Sequence, residues 1–595
     1  MSQQLNSDLG TSAVTWQLDH LYAGLDDPAI NRDINACKQQ AADVAAQYVG
    51  RLAALPAPEL HELVERLENI AVLLGKLSTF AFLSFSACIH NAEAGALLQQ
   101  IREVASAVGG KTVFFHLEWA KLDKGRADLL LAHDSLSHYR HYLQSIRRYA
   151  DHLLSRTEEE LLLAKEPVGT ASWTDLFEKV VGHLTFGEKR RSEEEVLSDL
   201  YCPDRQTRRQ AAMDLTEGLR SQLHILTHIF NTILADKMIS DRLRGYEQWV
   251  SAMNLANELS DETVAVLVSS VTNRYDIVQR YYRLKKDLLG LDTLYDYDRY
   301  APLPHLPDDK VTWPQCRDMV LQAFSAFSPK MAEIAALFFD NGWIDAPIQA
   351  GKQSGAFAHP CVPEVHPYVL VNYTGNIRDV STVAHELGHG VHQYLAAGQG
   401  YFNSDTPLVL AETASVFAEL LVFHSQLELL SSPVARRAFI CQKLESIFAT
   451  VFRQVSMNRF EDRIHTRRRT EGELSQEELS SQWRATQQEM FADSVTLTEN
   501  YDIWWSYIPH FLHTPGYVYS YAFGELLVLS LYNIYLQEGD VFVPKYEALL
   551  AAGGSRSPYE LMQPFGVDLT DPRFWQGGLA TIDHLLTQVE EPHDR

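Results

Sequence analysis

Apolar residues recur every three or four positions along most of this 595-residue chain, the periodicity of helices that bury one face. From Trp16 to about Ala120, Ala-, Leu-, Gln- and Glu-rich segments such as Ala36 to Leu55 and Pro58 to Leu77 are separated by short Pro or Gly breaks. They predict antiparallel helices. The apolar stretch from Thr79 to Cys88 reads as the buried face of a helix rather than a strand. Helical spacing returns over Ser192 to Ala235 and Val434 to Asp493. Only Gly355 to Ala358 and Pro367 to Tyr373 read as strands, the second ending at Thr374-Gly375. The fold class expected is mainly α with a small β-sheet. A polar break near Gly187 places a boundary at about 190–205, dividing a 1–195 N-terminal helical region from a 196–595 catalytic region.

One helical stretch carries chemistry. His385-Glu386-Leu387-Gly388-His389 puts two histidines four residues apart, so on a helix both imidazoles reach a single metal ion from one face. Glu386 falls on the flank of that face, where a carboxylate touches a metal-activated water without being a ligand. Asp379 reads as the N-cap, Val380 to Ala397 contains no proline, and Gly398 and Gly400 sit where the helix would stop. Gly388 and Gly390 weaken a helix, which suggests that another segment or the substrate comes close there.

The third ligand separates zinc-peptidase classes. A metzincin needs Gly at 392 and His at 395, and this chain has His392 and Leu395. A gluzincin draws a glutamate from a second helix, and Thr406 to Glu419 reads as one, with Thr406 as cap and Pro407 at its first position. Glu412 lies there among Leu410, Ala411, Ala414 and Phe417, where a bare carboxylate is costly to bury unless a cation neutralises it. Glu419 is the alternative ligand on the same helix. His392 reads as a helix-surface or supporting residue, because three protein ligands and a water complete a catalytic zinc site. Asp379 and Glu419 are candidates to orient the ligating histidines.

Charge narrows the partners. Lys and Arg number 51 against 77 Asp and Glu, a net charge of -26, which disfavours nucleic acid and anionic membrane surfaces. No run of eighteen apolar residues occurs, and MSQQLNSDLG lacks the basic and apolar parts of a signal peptide. The expected location is the cytoplasm. Six cysteines, widely spaced and without a C-x-x-C pair, read as free thiols.

A second informative stretch runs from Trp504 to Tyr521, with His510, His513, Tyr517, Tyr519 and Tyr521 beside two prolines and Gly516. In an extended run the three tyrosines would share a face. The density of hydroxyl and imidazole groups fits either a site wall or an aromatic core.

Taken together, the chain resembles the oligoendopeptidase F family of the thimet oligopeptidase superfamily of zinc peptidases. The resemblance rests on W-x-L-x-x-L-Y (Trp16 to Tyr22), D-R-Y-A-P-L-P (Asp298 to Pro304), G-K-Q-S-G-A-F (Gly351 to Phe357) and above all the run from His366 to His392. It implies an elongated two-lobed helical body around a deep substrate channel that admits short unfolded peptides. It also implies one Zn2+ per chain held by His385, His389 and Glu412, with Glu386 as the catalytic carboxylate. His510, Tyr519 and Tyr521 would join catalysis, and His513 competes with His510 for the histidine role. Tyr517, with Gly355, Ala356 and Phe357 on the strand before the zinc helix, would bind oligopeptide substrate.

The function expected is therefore a zinc endopeptidase. A zinc carboxypeptidase or dipeptidyl carboxypeptidase is the enzymatic alternative, and a catalytically inactive helical peptide-binding protein is the alternative from another class. Monomer and homodimer both remain open.

Overall fold

The computed structural model describes residues 2–303 and 310–591; Pro304, the end of the D-R-Y-A-P-L-P run, lies outside them. Among the described residues the chain is mainly helical, with a single three-stranded sheet. The elements used below are, in chain order, α1 (Pro28–Tyr48), α2 (Ala57–Ala87), α3 (Arg205–Arg244), β1 (Ile344–Asp345), β2 (Phe357–His359), β3 (Tyr368–Leu370), α4 (Ile377–Ala396), α5 (Leu408–Leu429), α6 (Phe452–Glu471) and α7 (Tyr519–Glu538).

Local chemistry explains the boundaries. At α1, Asp27 accepts the Ala29 N–H and Pro28 opens the first turn, where the missing N–H of proline costs nothing. The apolar stretch at Thr79 continues α2 without a break and buries Phe80, Ala81 and Leu83, as its pattern predicts. At α4 the cap is Asn376 rather than Asp379. Asp379 sits at the third helical position, and its carboxylate accepts from the Thr374 N–H and hydroxyl, both at 2.7 Å, and from the Asn376 N–H at 3.2 Å. This reciprocal capping box fixes the entry of the motif helix. It also occupies the Asp379 carboxylate as a cap.

The strands predicted on either side of residue 360 form an antiparallel pair, Ala358 opposite Val369, and a short parallel strand, β1, joins the other edge of β3. Two residues at β1 are too few to show a period in sequence. All six cysteines are unpaired.

The chain divides into two compact units, each assembled from three segments. One comprises 1–150, 307–429 and 534–567, and the other 151–306, 430–533 and 568–595. This partition replaces the single division expected near residue 195, because long-range helix packing, invisible to local composition, decides which segments share a core. In the first unit α1 and α2 pack around Ile34, Cys37, Leu60, Leu63 and Phe115, and Tyr368 and Leu370 of the sheet join the same core. Helices α2 and α5 have the length and hydropathy of membrane spans, with 39% and 67% of their most apolar windows buried inside the protein.

Candidate metal centre

Helices α4 and α5 cross closely because Gly388 faces the backbone of α5. A Cβ added at Gly388 would lie 2.5 Å from the Ala414 carbonyl oxygen and 2.7 Å from the Ser415 Cα. Gly390 meets the ring of Phe338 in the same way, at 2.7 Å. The glycines thus trade helix propensity for interhelical approach.

That approach brings His385, His389 and Glu412 together. One ligand atom from each lies within 4.8 Å of the other two. Glu412 Oε2 is 3.4 Å from His385 Nε2 and 3.5 Å from His389 Nε2, and the two imidazoles meet edge to face. Two imidazoles and a carboxylate are a donor set suited to zinc, with room for water. Among the described residues this is the one His/Cys/Asp/Glu group of three or more so arranged.

The carboxylates are held in different states. Burial alone would raise Glu412, but the His389 hydrogen bond, the nearby His385 and the Ser415 hydroxyl reverse this and draw it down to about 2. Glu386, 7% exposed, is pushed up to about 7 by burial, with Glu412 and Glu419 adding to the rise while His389 and the Ala358 N–H draw it down. One carboxyl is therefore held as the carboxylate, and its neighbour is drawn towards the protonated form.

Supporting residues emerge that the sequence motif omits. Ser415 donates to Glu412 Oε2 at 2.8 Å, one turn along the same helix, a spacing visible in sequence once Glu412 is identified as the ligand. Glu419 Oε1 lies 3.8 Å from His385 Nδ1. It faces the Nδ1 side of that ring, and the close-set group of donors includes Glu412 and not Glu419. His392 is buried rather than on the helix surface, and burial lowers its pKa to about 4.

A cavity of about 720 Å³ opens onto the cluster, lined by His385, Glu386, His389, Glu412, Ala356 and Phe357 among others. Gly355, grouped with these in the sequence reading, lines an adjoining recess of about 220 Å³ together with Ala356. β2 is an edge strand. Val369 donates its N–H to Trp343 on the β1 side, so its partner Ala358 has its own N–H and C=O turned outward, away from β3. The Ala358 N–H reaches Glu386.

The C-terminal histidine and tyrosines lie in the other unit, and only some of them group together. His510 Nε2 is 3.3 Å from the Tyr521 hydroxyl, its ring is parallel to that of Tyr517, and Tyr517 and Tyr521 meet edge to face at 4.9 Å. His513 points elsewhere, pairing with Glu178 at 2.8 Å on the exposed surface. Tyr519 opens α7 and is wholly buried, its hydroxyl accepting from Asn257 at 2.9 Å. The expected shared face of the three tyrosines fails because the run turns helical at Tyr519, and helical neighbours two apart diverge. The loop before it is anchored by Glu461, which accepts the Gly516 N–H at 2.8 Å.

The family model described as peptidase family M3 matches residues 199–581, and that described as oligopeptidase F matches 118–186. The chain is 27% identical to oligopeptidase PepF of Bacillus subtilis across 97% of its own length and 87% of that protein. It is 24% identical to an oligoendopeptidase F homolog of Lactococcus lactis across 98% and 97%. Its fold superposes on a crystal structure from Chlamydophila abortus with a TM-score of 0.85, at 25% identity and 97% and 98% coverage. Oligoendopeptidase-F of Enterococcus faecium gives a TM-score of 0.72, at 22% identity and 94% and 98% coverage. With the family model spanning more than half of its length, the chain belongs to peptidase family M3.

Proposed function

We propose that this peptidase is a zinc endopeptidase that cuts internal bonds of short unfolded peptides. The observation that carries the reading is the convergence of His385, His389 and Glu412, with Glu386 buried beside them and outside the ligand set. A peptide-binding protein has no use for that extra acid.

His385, His389 and Glu412 would hold the ion, oriented by Ser415 and Glu419. Bound zinc supplies Lewis acidity and brings the pKa of water towards neutrality. Glu386 takes the proton of the attacking water on a carboxylate oxygen and returns it to the departing amine nitrogen. The outward edge of β2 accepts an extended peptide as an added strand when the Ala358 N–H passes from Glu386 to the peptide, and Ala356 and Phe357 border that lane. By the family resemblance, His510, Tyr519 and Tyr521 join catalysis and Tyr517 binds substrate, and of these His510, Tyr517 and Tyr521 group together. On that reading Tyr521→Phe lowers turnover by about 10²–10³-fold.

The endopeptidase reading is also supported by the cavity lining, which among the described residues includes no Lys or Arg to grip a terminal carboxylate. Digestion of a ten-residue peptide with free and blocked carboxyl termini, read by mass spectrometry, tests it. Internal cleavage of both forms is expected; cleavage confined to the free form would make the protein a carboxypeptidase. Glu386→Gln should keep its metal and lose about 10²–10⁴-fold in rate.

A further inference from the structure

The cavity at the metal cluster extends past the ligands to the segment that joins α4 to α5. That segment is built as a rigid wall. Glu68 of α2 accepts the Phe402 N–H at 3.0 Å, Phe402 stacks on Tyr142 at 4.4 Å, and Asn403 donates to the His138 carbonyl at 3.0 Å. From the other side, Gly554 donates to the Asn403 carbonyl at 2.8 Å. Its lack of a side chain is required, since a Cβ there would stand 1.8 Å from the Asp405 carbonyl oxygen.

Asp405 ends this wall, lines the cavity and is exposed to solvent. No Lys, Arg or His among the described residues pairs with it. Three carboxylates border the cavity: Glu386, Glu412 and Asp405. Glu386 and Glu412 belong to the metal cluster, whereas Asp405, whose carboxyl burial holds above its usual value while the Thr406 N–H draws it back, has no cationic partner in the lining.

Beside it stands Tyr401, whose phenol is held above its usual value by burial, then by Asp405. Its hydroxyl fits against α2 at Gly75, where a Cβ would come within 2.6 Å of it. Gly75 thereby keeps the ring against the helix and the cavity open. An aromatic ring next to a fixed carboxylate is a setting for a guanidinium or ammonium group, whose aliphatic stem can lie along Leu408 and Val362.

We propose that this part of the cavity is a side-chain subsite for a basic residue, with Asp405 as its counter-ion and the Gly75–Tyr401 contact setting its width, so that the enzyme favours peptides carrying Arg or Lys next to the bond it cuts. The inference rests on the peptidase reading. The chain's net charge of -26 favours the same substrates at long range, but only a fixed local carboxylate confines the preference to one position.

The test uses the zinc-loaded full chain and internally quenched peptides in which each position flanking the cut is varied among Arg, Lys, norleucine and Glu. Arg or Lys should exceed norleucine in kcat/KM by about tenfold at one position only. Asp405→Asn should remove that advantage while norleucine peptides change by less than about threefold. Gly75→Ala should slow peptides with a long side chain at that position more than those with alanine. A preference that survives Asp405→Asn, or no preference at any position, overturns the proposal. Fluorescence anisotropy of labelled Arg and norleucine peptides on Glu386→Gln reads the same preference as affinity without cleavage. Protein that cuts nothing but binds the Arg peptide selectively would therefore sink the peptidase reading and leave the subsite standing.

Discussion

Two polar clusters, one in each unit, are built to opposite ends. In the second unit Asp298 is wholly buried, and its oxygens accept from Arg205 at 2.7 Å, from Arg208 at 2.9 Å and from the Tyr295 N–H at 3.1 Å. Its neighbour Arg299 lies against the rings of Tyr300, Phe491 and Tyr501, and Lys285 ties the Arg299 carbonyl to Glu445. Charges there are answered by other protein charges. In the first unit, His385, His389 and Glu412 are half-buried, lie within 4.8 Å of one another and border a cavity, with a second carboxylate held beside them. A buried cluster that neutralises itself is a structural knot. One that converges on open space is a site.

Substitutions should separate the two. The largest effect is expected from Glu412→Ala, which should take the metal content from about one ion per chain to nearly none and abolish cleavage, while the unfolding midpoint of the metal-free protein stays close to that of metal-free wild type. Metal analysis and thermal unfolding with and without chelator check this. Asp298→Ala should do the reverse, costing about 3–5 kcal/mol by stranding two guanidinium groups. Denaturant titration measures the loss, and full metal content in the folded fraction would confirm that the knot has no part in ligation.

Gly388→Ala lies between these extremes, because it forces α4 and α5 apart at the point that brings the ligands together. It should cost about 1–3 kcal/mol and weaken zinc binding, measured by competition with a chelating dye. Unchanged affinity would show that the ligands tolerate a wider crossing. The smallest effect belongs to Ser415→Ala, which removes one hydrogen bond from Glu412 and should lower metal affinity by about tenfold without altering stability.

The comparison also explains what could be read early. Helix periodicity, the strand pair on either side of residue 360 and the two histidines followed by a glutamate on a second helix are short-range patterns, and each is found where the pattern puts it. The tyrosine run misled because alternation was read as extended chain while the backbone turns helical at Tyr519. His510 and His513 are chemically alike in sequence. Packing distinguishes them, setting one against Tyr517 and Tyr521 and the other against Glu178.

By itself, then, the sequence determined the donors: which residues can bind a metal, which acid lies beside them, and that helices carry both. Only the tertiary structure decided how closely those helices approach, which carboxylates are answered and which stand open, and that the chain interleaves two units instead of dividing once near residue 195. The physical reason is range. Hydrogen-bond spacing and helix propensity act over a few residues, whereas burial, desolvation and unpaired charge depend on segments hundreds of positions apart.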